Sequence, residues 1–310
     1  TEISDRYNKI QLDYEQGKPD FIRKFNKEHA KSNGLIPLIT KVFYDIFSDR
    51  YWGPDGHLKN GIPTYYKNKN KSIEKSKTSI VKYSIIKLRT NRFKKKLKEH
   101  YCNLVSEPDL SKKYVLLNLH YQPEMTSCPA GDIFVDQRLC VEVLRKNLPK
   151  DYHIYIKEHP SQFYSHQEGH TGRYKEFYED LLQYNNIQLI PLETDTFTLI
   201  RNAKAVATIT GTSGWEAMAM GKPVIIFGLT WYEKYHGVLK ITDDKTASEI
   251  CSFIDAFQFD KRDLFAYLHA FTNNSVKGYL YRGIKQQINL EEDECVNNIC
   301  NALVQLAKGN

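Results

Sequence analysis

After Lys113 the chain alternates five short apolar runs, YVLLNL, HIYIKE, IQLIPL, AVATIT and PVIIFG, with segments of helix-forming composition. Strands buried on both faces read as unbroken β-branched and leucine runs, and a parallel partner strand needs a crossover long enough to hold a helix. Five such runs in about 115 residues therefore predict an α/β fold built on a Rossmann-like parallel sheet. In such a sheet ligands bind beyond the carboxyl ends of the strands, so the residues just after each run carry most of the functional information.

Residues 1–112 read differently. Their apolar residues recur at helical spacing, as in LIPLITKVFYDIF and SIVKYSIIKLRTNRFKKKLKEHY. In the second segment Val81, Ile85 and Leu88 share a face, followed by Phe93 and Leu97, with Lys and Arg around the rest, which predicts one long basic amphipathic helix. The Gly, Pro, Asn and Lys content of Tyr51 to Asn70 predicts a loop. Three domains are expected: a helical, acceptor-side region over 1–112, a Rossmann-like domain over 113–245, and C-terminal helices over 246–310, carried by TASEICSFIDAF, RDLFAYLHAF and LEEDECVNNICNALVQLAKG.

The formal net charge of +7 is concentrated. Lys67 to Lys98 holds thirteen basic residues and a single acid, Glu74. Such a stripe attracts phosphate, anionic lipid or acidic glycan through one long-range field. The six cysteines of the chain form no CxxC pair, which fits reduced thiols, and no run approaches the roughly 18 apolar residues of a membrane span. A cytoplasmic protein is expected, peripheral to a membrane where the basic stripe engages one. The chain opens on Thr1 rather than methionine, so a missing natural N-terminus enters the expectations.

Four strand-end corners stand out. The first, HYQPEMTSCPAGD, offers Gln122, Glu124, Thr126 and Ser127, with Pro123 and Pro129 stiffening the loop; an ordinary structural loop has the same look. His159-Pro160 follows the second run, with the proline holding the histidine's backbone extended. An imidazole there can donate to a phosphate oxygen. The third corner is the strongest: AVATIT runs into Gly211-Thr212-Ser213-Gly214 and then a helix carrying Glu216. Free amides and the helix dipole make such a start an anion site, and Glu216, one turn in, can accept from ribose hydroxyls. The alternative is an N-cap at Thr212 or Ser213 with Glu216 closing a capping box, although glycine on both sides favours close approach by a ligand. In the fourth corner Glu193 and Asp195 flank a turn, and capping the next helix accounts for them equally well.

Metal binding has little support, because His166 and His170 flank Gly169 in a polar stretch and zinc needs three or four placed ligands. The chain has no P-loop, no GxSxG elbow and no GxGxxG after a strand. Kinase, hydrolase and ordinary dehydrogenase readings lose their main signals.

Taken together, LNLHYQPEMTSCPAGDIFVDQ, YIKEHPSQF, PLETDTFTLI and TGTSGWEAMAMGKPVIIFG resemble the bacterial capsule polysaccharide biosynthesis family that includes the retaining β-Kdo transferases. The resemblance spans about Tyr114 to Ile241. It implies a GT-B fold binding a CMP-activated keto-sugar in the C-terminal domain, with a Gln-Pro and a His-Pro element at the site and no cofactor or metal. It places Gln122 and Pro123 in the first element and His159 and Pro160 in the second; Glu124 and Lys157, beside them, are further candidates for donor binding. Thr212, Ser213 and Glu216 fall at the nucleotide, and the flanking Gly211 and Gly214 are candidates for the same contact. His159 would face the departing phosphate. Asp55, in GPDGH, is similar to the acidic-Asp-Gly element of bacterial sialyltransferases and is the candidate base, with Pro54 departing from that pattern. Asp132 and Asp136 are assigned to structure. No set of strands is visible in residues 1–112, so the acceptor domain is either missing or replaced by helices.

The expected function is transfer of a sugar, Kdo or a related keto-sugar, from a CMP donor to a glycan or glycolipid acceptor during surface polysaccharide synthesis. A teichoic-acid-type polyol-phosphate transferase shares the fold and the His-Pro element. A non-catalytic polysaccharide- or nucleic-acid-binding protein would instead use the basic stripe. The stripe lacks aromatics interleaved in an RNA-binding arrangement, so no nucleic-acid partner is expected.

Overall fold

The computed structural model describes residues 80–124, 126–164, 167–174, 176–279 and 290–308, without the side chains of 80–87. The proposed base Asp55, His166, the predicted 51–70 loop and the first part of the basic stripe lie outside the described residues. Those residues divide between two compact units, one running through Phe259 and one beginning at Asp260.

The first unit is a parallel sheet of β1 (Tyr114–Asn118), β2 (His153–Lys157), β3 (Ile187–Ile190), β4 (Ala205–Thr208), β5 (Val224–Ile226) and β6 (Val238–Lys240). Their order is β3-β2-β1-β4-β5-β6, with every neighbouring pair parallel. The five apolar runs supply the first five strands. The sixth was not among the runs, because three half-buried edge residues leave no apolar signature. Crossovers hold α2 (Arg138–Asn147), α3 (Phe177–Leu181), α4 (Thr196–Asn202) and α5 (Thr212–Ala219), and α6 (Asp244–Ser248) and α7 (Ile250–Ala256) follow β6. TASEICSFIDAF thus folds as two helices broken at Glu249.

Tyr114, Val115, Leu116 and Leu117 are all buried, as are Ile154 to Ile156 and Ala205 to Ala207. Each large side chain buried in this way contributes about 1.5–3 kcal/mol, so the sheet is a stiff frame for the loops at its carboxyl edge. The two central tyrosines stack at 4.3 Å, and Tyr114 Oη donates to the carbonyl of Leu199 at 2.6 Å, which satisfies its buried hydroxyl.

The basic segment forms one helix, α1 (Ile80–Leu104), as its spacing predicts. Its buried face differs from the expected one. Leu88 is 60% exposed and Phe93 40%, whereas Lys94, Leu97 and Tyr101 are buried. Lys94 runs its apolar stem along the protein and donates its ammonium to the carbonyl of Gln167. Tyr101 Oη donates to the carbonyl of Ile190 and accepts from the amide of Glu158, which fastens α1 to the ends of β2 and β3. No described helix is long and apolar enough to cross a membrane.

The second unit contains α8 (Lys261–Asn273) and α9 (Glu292–Ala307). The amide of Tyr279 reaches Cys295 Sγ, and Asn298 Nδ2 donates to the carbonyl of Lys277, tying residues 277–279 to α9.

A donor-lined crevice at the switch point of the sheet

Connections from β1 run outward through β2 to β3, and those from β4 run the opposite way through β5 to β6. The crevice beyond the ends of β1 and β4 is therefore the topological switch point, where doubly wound sheets bind ligands. Two of the predicted corners meet across it, and the His159 corner adjoins them.

His120 joins the two central strands. Its Nε2 accepts from the amide of Thr210 at 3.1 Å and from the hydroxyl of Thr208 at 3.0 Å, which itself accepts from the amide of Gly211 at 3.2 Å. Those donors require an unprotonated Nε2, so the ring is neutral with its proton on Nδ1. Burial agrees, pushing the His120 pKa down to about 4, with the His159 and Arg173 charges acting in the same direction. Gln137 holds the backbone of His120 in both senses, Oε1 accepting from its amide at 2.7 Å and Nε2 donating to its carbonyl at 3.0 Å. The loop after β1 is closed onto β4 a second time by Thr210 Oγ1, which donates to the carbonyl of Thr126 at 2.7 Å. Ser127 is fully buried and caps its own turn on Glu124.

Both amide atoms of the Gln122 side chain are engaged, Oε1 accepting from Arg173 at 2.9 Å and Nε2 donating to the carbonyl of Val135 at 2.7 Å. Gln122 thus shapes the loop, and its peptide bond to Pro123 is cis. Glu124 is exposed and leaves its carbonyl to the turn. Lys157 is buried and donates to the carbonyl of Leu192 at 2.7 Å.

His159 is an exposed N-cap. Its Nδ1 accepts from the amide of Ser161 at 3.2 Å at the start of a short 3-10 turn, Pro160–Phe163, where Pro160 occupies a position that suits its missing N–H. Desolvation by the surrounding protein lowers its pKa, against the opposing charges of Glu158 and Glu124. A neutral imidazole accepting at Nδ1 carries its proton on Nε2, and Nε2–H has no partner among the described residues.

Helix α5 begins at the end of β4. Its N-cap is Gly211, with no side-chain cap, so the capping-box alternative does not form. The first amides of a helix have no partner within it, which leaves those of Thr212 and Ser213 as donors. Contacts within the protein also require the flanking glycines. A β-carbon on Gly211 would meet Thr208 Oγ1 at 2.6 Å, and one on Gly214 would meet Tyr232 Oη at 2.4 Å. Tyr232, buried, donates to the carbonyl of Gly211 at 2.5 Å.

Glu216 is half-buried, its carboxyl group has no hydrogen-bond partner among the described residues, and burial raises its pKa to about 7. The folded protein therefore holds a proton that the unfolded chain releases between about pH 4.5 and pH 7. Ionisation of Glu216 erodes stability across that window, and the loss is complete above it. Glu216→Gln is expected to raise the melting temperature by a few degrees at pH 8 and to leave it unchanged at pH 4.5; an equal shift at both pH values would contradict a protonated Glu216.

In the fourth corner Asp195 caps α4, accepting from the amide and hydroxyl of Thr198. Glu193 is exposed. Asp136 pairs with Arg138 at 2.6 Å, and Asp132 takes a left-handed φ of 48° at the start of a 3-10 turn. Among the described residues no three His, Cys, Asp or Glu side chains come together as a metal site.

Several site residues were not singled out from the sequence. His120 lies inside the first corner, and its position just past a central strand was the available signal. Glu158, Gln162, Arg173 and Tyr232 reach partners 15 to 57 residues away along the chain, and nothing in the linear pattern announces them.

Fold and site together define a doubly wound α/β protein whose switch-point crevice is lined by a neutral histidine and the start of a helix. The chain belongs to the capsule polysaccharide biosynthesis protein family, whose model matches residues 61–270. It is 29% identical over 79 residues to the capsule polysaccharide modification protein LipA of Neisseria meningitidis, a match covering 26% of this chain and 10% of LipA. The chain thus spans about a tenth of the length of the curated relatives it matches. Among solved structures it is similar to the β-Kdo 2,7 transferase of Thermosulfurimonas dismutans KpsC, at 19% identity and a TM-score of 0.35, covering 54% of this chain and 52% of that one. It is also similar to the UDP-GlcNAc 2-epimerase of Methanocaldococcus jannaschii, at 16% identity and a TM-score of 0.36, covering 62% and 52%. Likenesses at that level bear on neither substrate nor mechanism.

Proposed function

We propose that the sheet is the donor-binding domain of a GT-B-type glycosyltransferase of capsular or surface polysaccharide synthesis. It takes Kdo or a related keto-sugar from a CMP donor and passes it to a glycan or glycolipid acceptor. What supports this reading is the pair of donor groups at and beside the switch point: the Nε2–H of His159, without a partner among the described residues, and the opening amides of α5. When the bond between the anomeric carbon and the phosphate oxygen breaks, the sugar becomes oxocarbenium-like and negative charge grows on the CMP phosphate. Fixed donors aimed at that charge stabilise it without reorganising. No step in this scheme calls for a divalent cation.

In this assignment Thr212 and Ser213 hold the phosphate, Glu216 accepts from the ribose hydroxyls, and His159 donates to the leaving oxygen. Gln122 and Pro123 set the loop beside them, and Asp55 is the candidate base on the acceptor side. The exposed Arg89, Arg92, Lys95, Lys96 and Lys98 of α1 suit an anionic membrane face or acceptor. The test is thermal protection. Saturating CMP, at about 100 times its Kd, stabilises the folded state by about 2.7 kcal/mol, whereas UDP and GDP are expected to give no shift. Equal protection by UDP would move the donor assignment, and product analysis showing a phosphodiester would point to polyol-phosphate transfer.

A further inference from the structure

Glu158 and Arg173 form an ion pair whose side chains are both fully shielded from solvent. Nε donates to Oε2 at 2.7 Å and one terminal nitrogen donates to Oε1 at 3.0 Å. The three remaining guanidinium N–H groups go to Gln122 Oε1 at 2.9 Å, the carbonyl of Gly172 at 2.8 Å and the carbonyl of His120 at 2.9 Å. All five donors are used. The carboxylate is equally complete, accepting in addition from Tyr178 Oη at 2.8 Å and from the amide of His159 at 2.7 Å.

A buried pair gives little net stability compared with apolar residues of similar volume. Its geometry is more informative. Arg173 grips the backbone of His120 and the side chain of Gln122 at the end of β1, and its partner grips the amide of His159 at the end of β2. Gln162 repeats the span from the other side, Oε1 accepting from the amide of Gln122 and Nε2 donating to its carbonyl, both at 3.0 Å. Gly172 lets the two segments approach, since a β-carbon there would fall 2.6 Å from Gln122 Cβ. Tyr101 of α1 closes the cluster through the amide of Glu158.

We infer that Arg173 and Glu158 are positioning residues that fix the His159 corner against the loop after β1, so that nucleotide affinity depends on them although neither touches the ligand. This rests on the donor-binding reading above. The guanidinium is needed because its planar fork spans four partner residues, which the compact ammonium of lysine does not. Arg173→Lys keeps a cation beside Glu158 and loses the fork to Gln122 and His120. Arg173→Met/Glu158→Gln removes both charges and leaves neither unpaired, a second variant should the first not fold.

The experiment measures CMP affinity by calorimetry well below each variant's melting temperature, together with the imidazole signals of His120 and His159 by NMR. Arg173→Lys is expected to weaken CMP binding at least about tenfold and to shift both imidazole signals, as is the double variant. A folded Arg173→Lys that binds CMP within twofold of the native chain, with both signals unmoved, overturns the inference. Should the native chain bind no nucleotide, the donor reading fails, and the imidazole signals decide alone: shifted in Arg173→Lys they support the positioning role, unchanged they refute it.

Discussion

Replacing His159 with alanine is expected to slow sugar transfer by about two to three orders of magnitude, the loss typical of one preorganised donor to developing charge, while the protein stays folded. The structural loss is small because His159 is exposed, its backbone bond to Glu158 survives the substitution, and among the described residues its side chain only caps a short turn through Nδ1. A lost cap costs about 1 kcal/mol, which lowers the melting temperature by about 2–4 °C in a chain of this size. Asparagine separates the two roles. Its Oδ1 can accept from the amide of Ser161 and its amide nitrogen remains a neutral donor, so His159→Asn is expected to melt with the native protein and to keep part of the activity. The depressed pKa of His159 keeps the ring neutral above the ordinary histidine range, so it contributes no pH limb to the rate between pH 7 and 8. Initial rates and calorimetric melts on the three proteins test this. An alanine variant that retains more than about a tenth of native activity would remove His159 from the chemistry.

The features legible in the sequence are those written in consecutive residues. Strands β1 to β5 appear as runs because both faces of the sheet are covered, and the three corners that gather around the switch point follow from their order. The register of α1 was less legible. Lys94 counts as polar in any periodicity, yet its stem lies on the buried face and only its ammonium reaches a carbonyl. Leu88 and Phe93 look like core and are exposed. The Arg173 cluster was invisible for another reason. Each of its members is an ordinary polar residue in a loop, and the hydrogen bonds that make it a unit join segments that only the folded sheet brings together.

Gly214 has a steric role that the sequence does not announce, and its substitution gives the second large effect. In an exposed helix, glycine to alanine ordinarily stabilises by about 1 kcal/mol. At Gly214 the sign is expected to reverse. The new β-carbon would lie 2.4 Å from Tyr232 Oη and 2.9 Å from its Cζ, and the buried ring cannot swing away without breaking its bond to the carbonyl of Gly211. Overpacking of this kind costs about 1–3 kcal/mol, and the strain falls on the turn that presents the Thr212 and Ser213 amides, so CMP affinity falls with stability. Tyr232→Phe removes the clashing oxygen and one hydrogen bond, leaving the carbonyl of Gly211 to the amide of Gly214, and costs about 1 kcal/mol by itself. Combined with Gly214→Ala it is expected to destabilise less than the sum of the two, by a coupling of about 0.5–3 kcal/mol. Were Gly214 present instead to admit a ligand, alanine would hold or raise the melting temperature, abolish nucleotide binding, and gain nothing from Tyr232→Phe. Denaturation of the four proteins of the cycle, with CMP titrated into each, distinguishes a glycine that seats a tyrosine from one that seats a nucleotide.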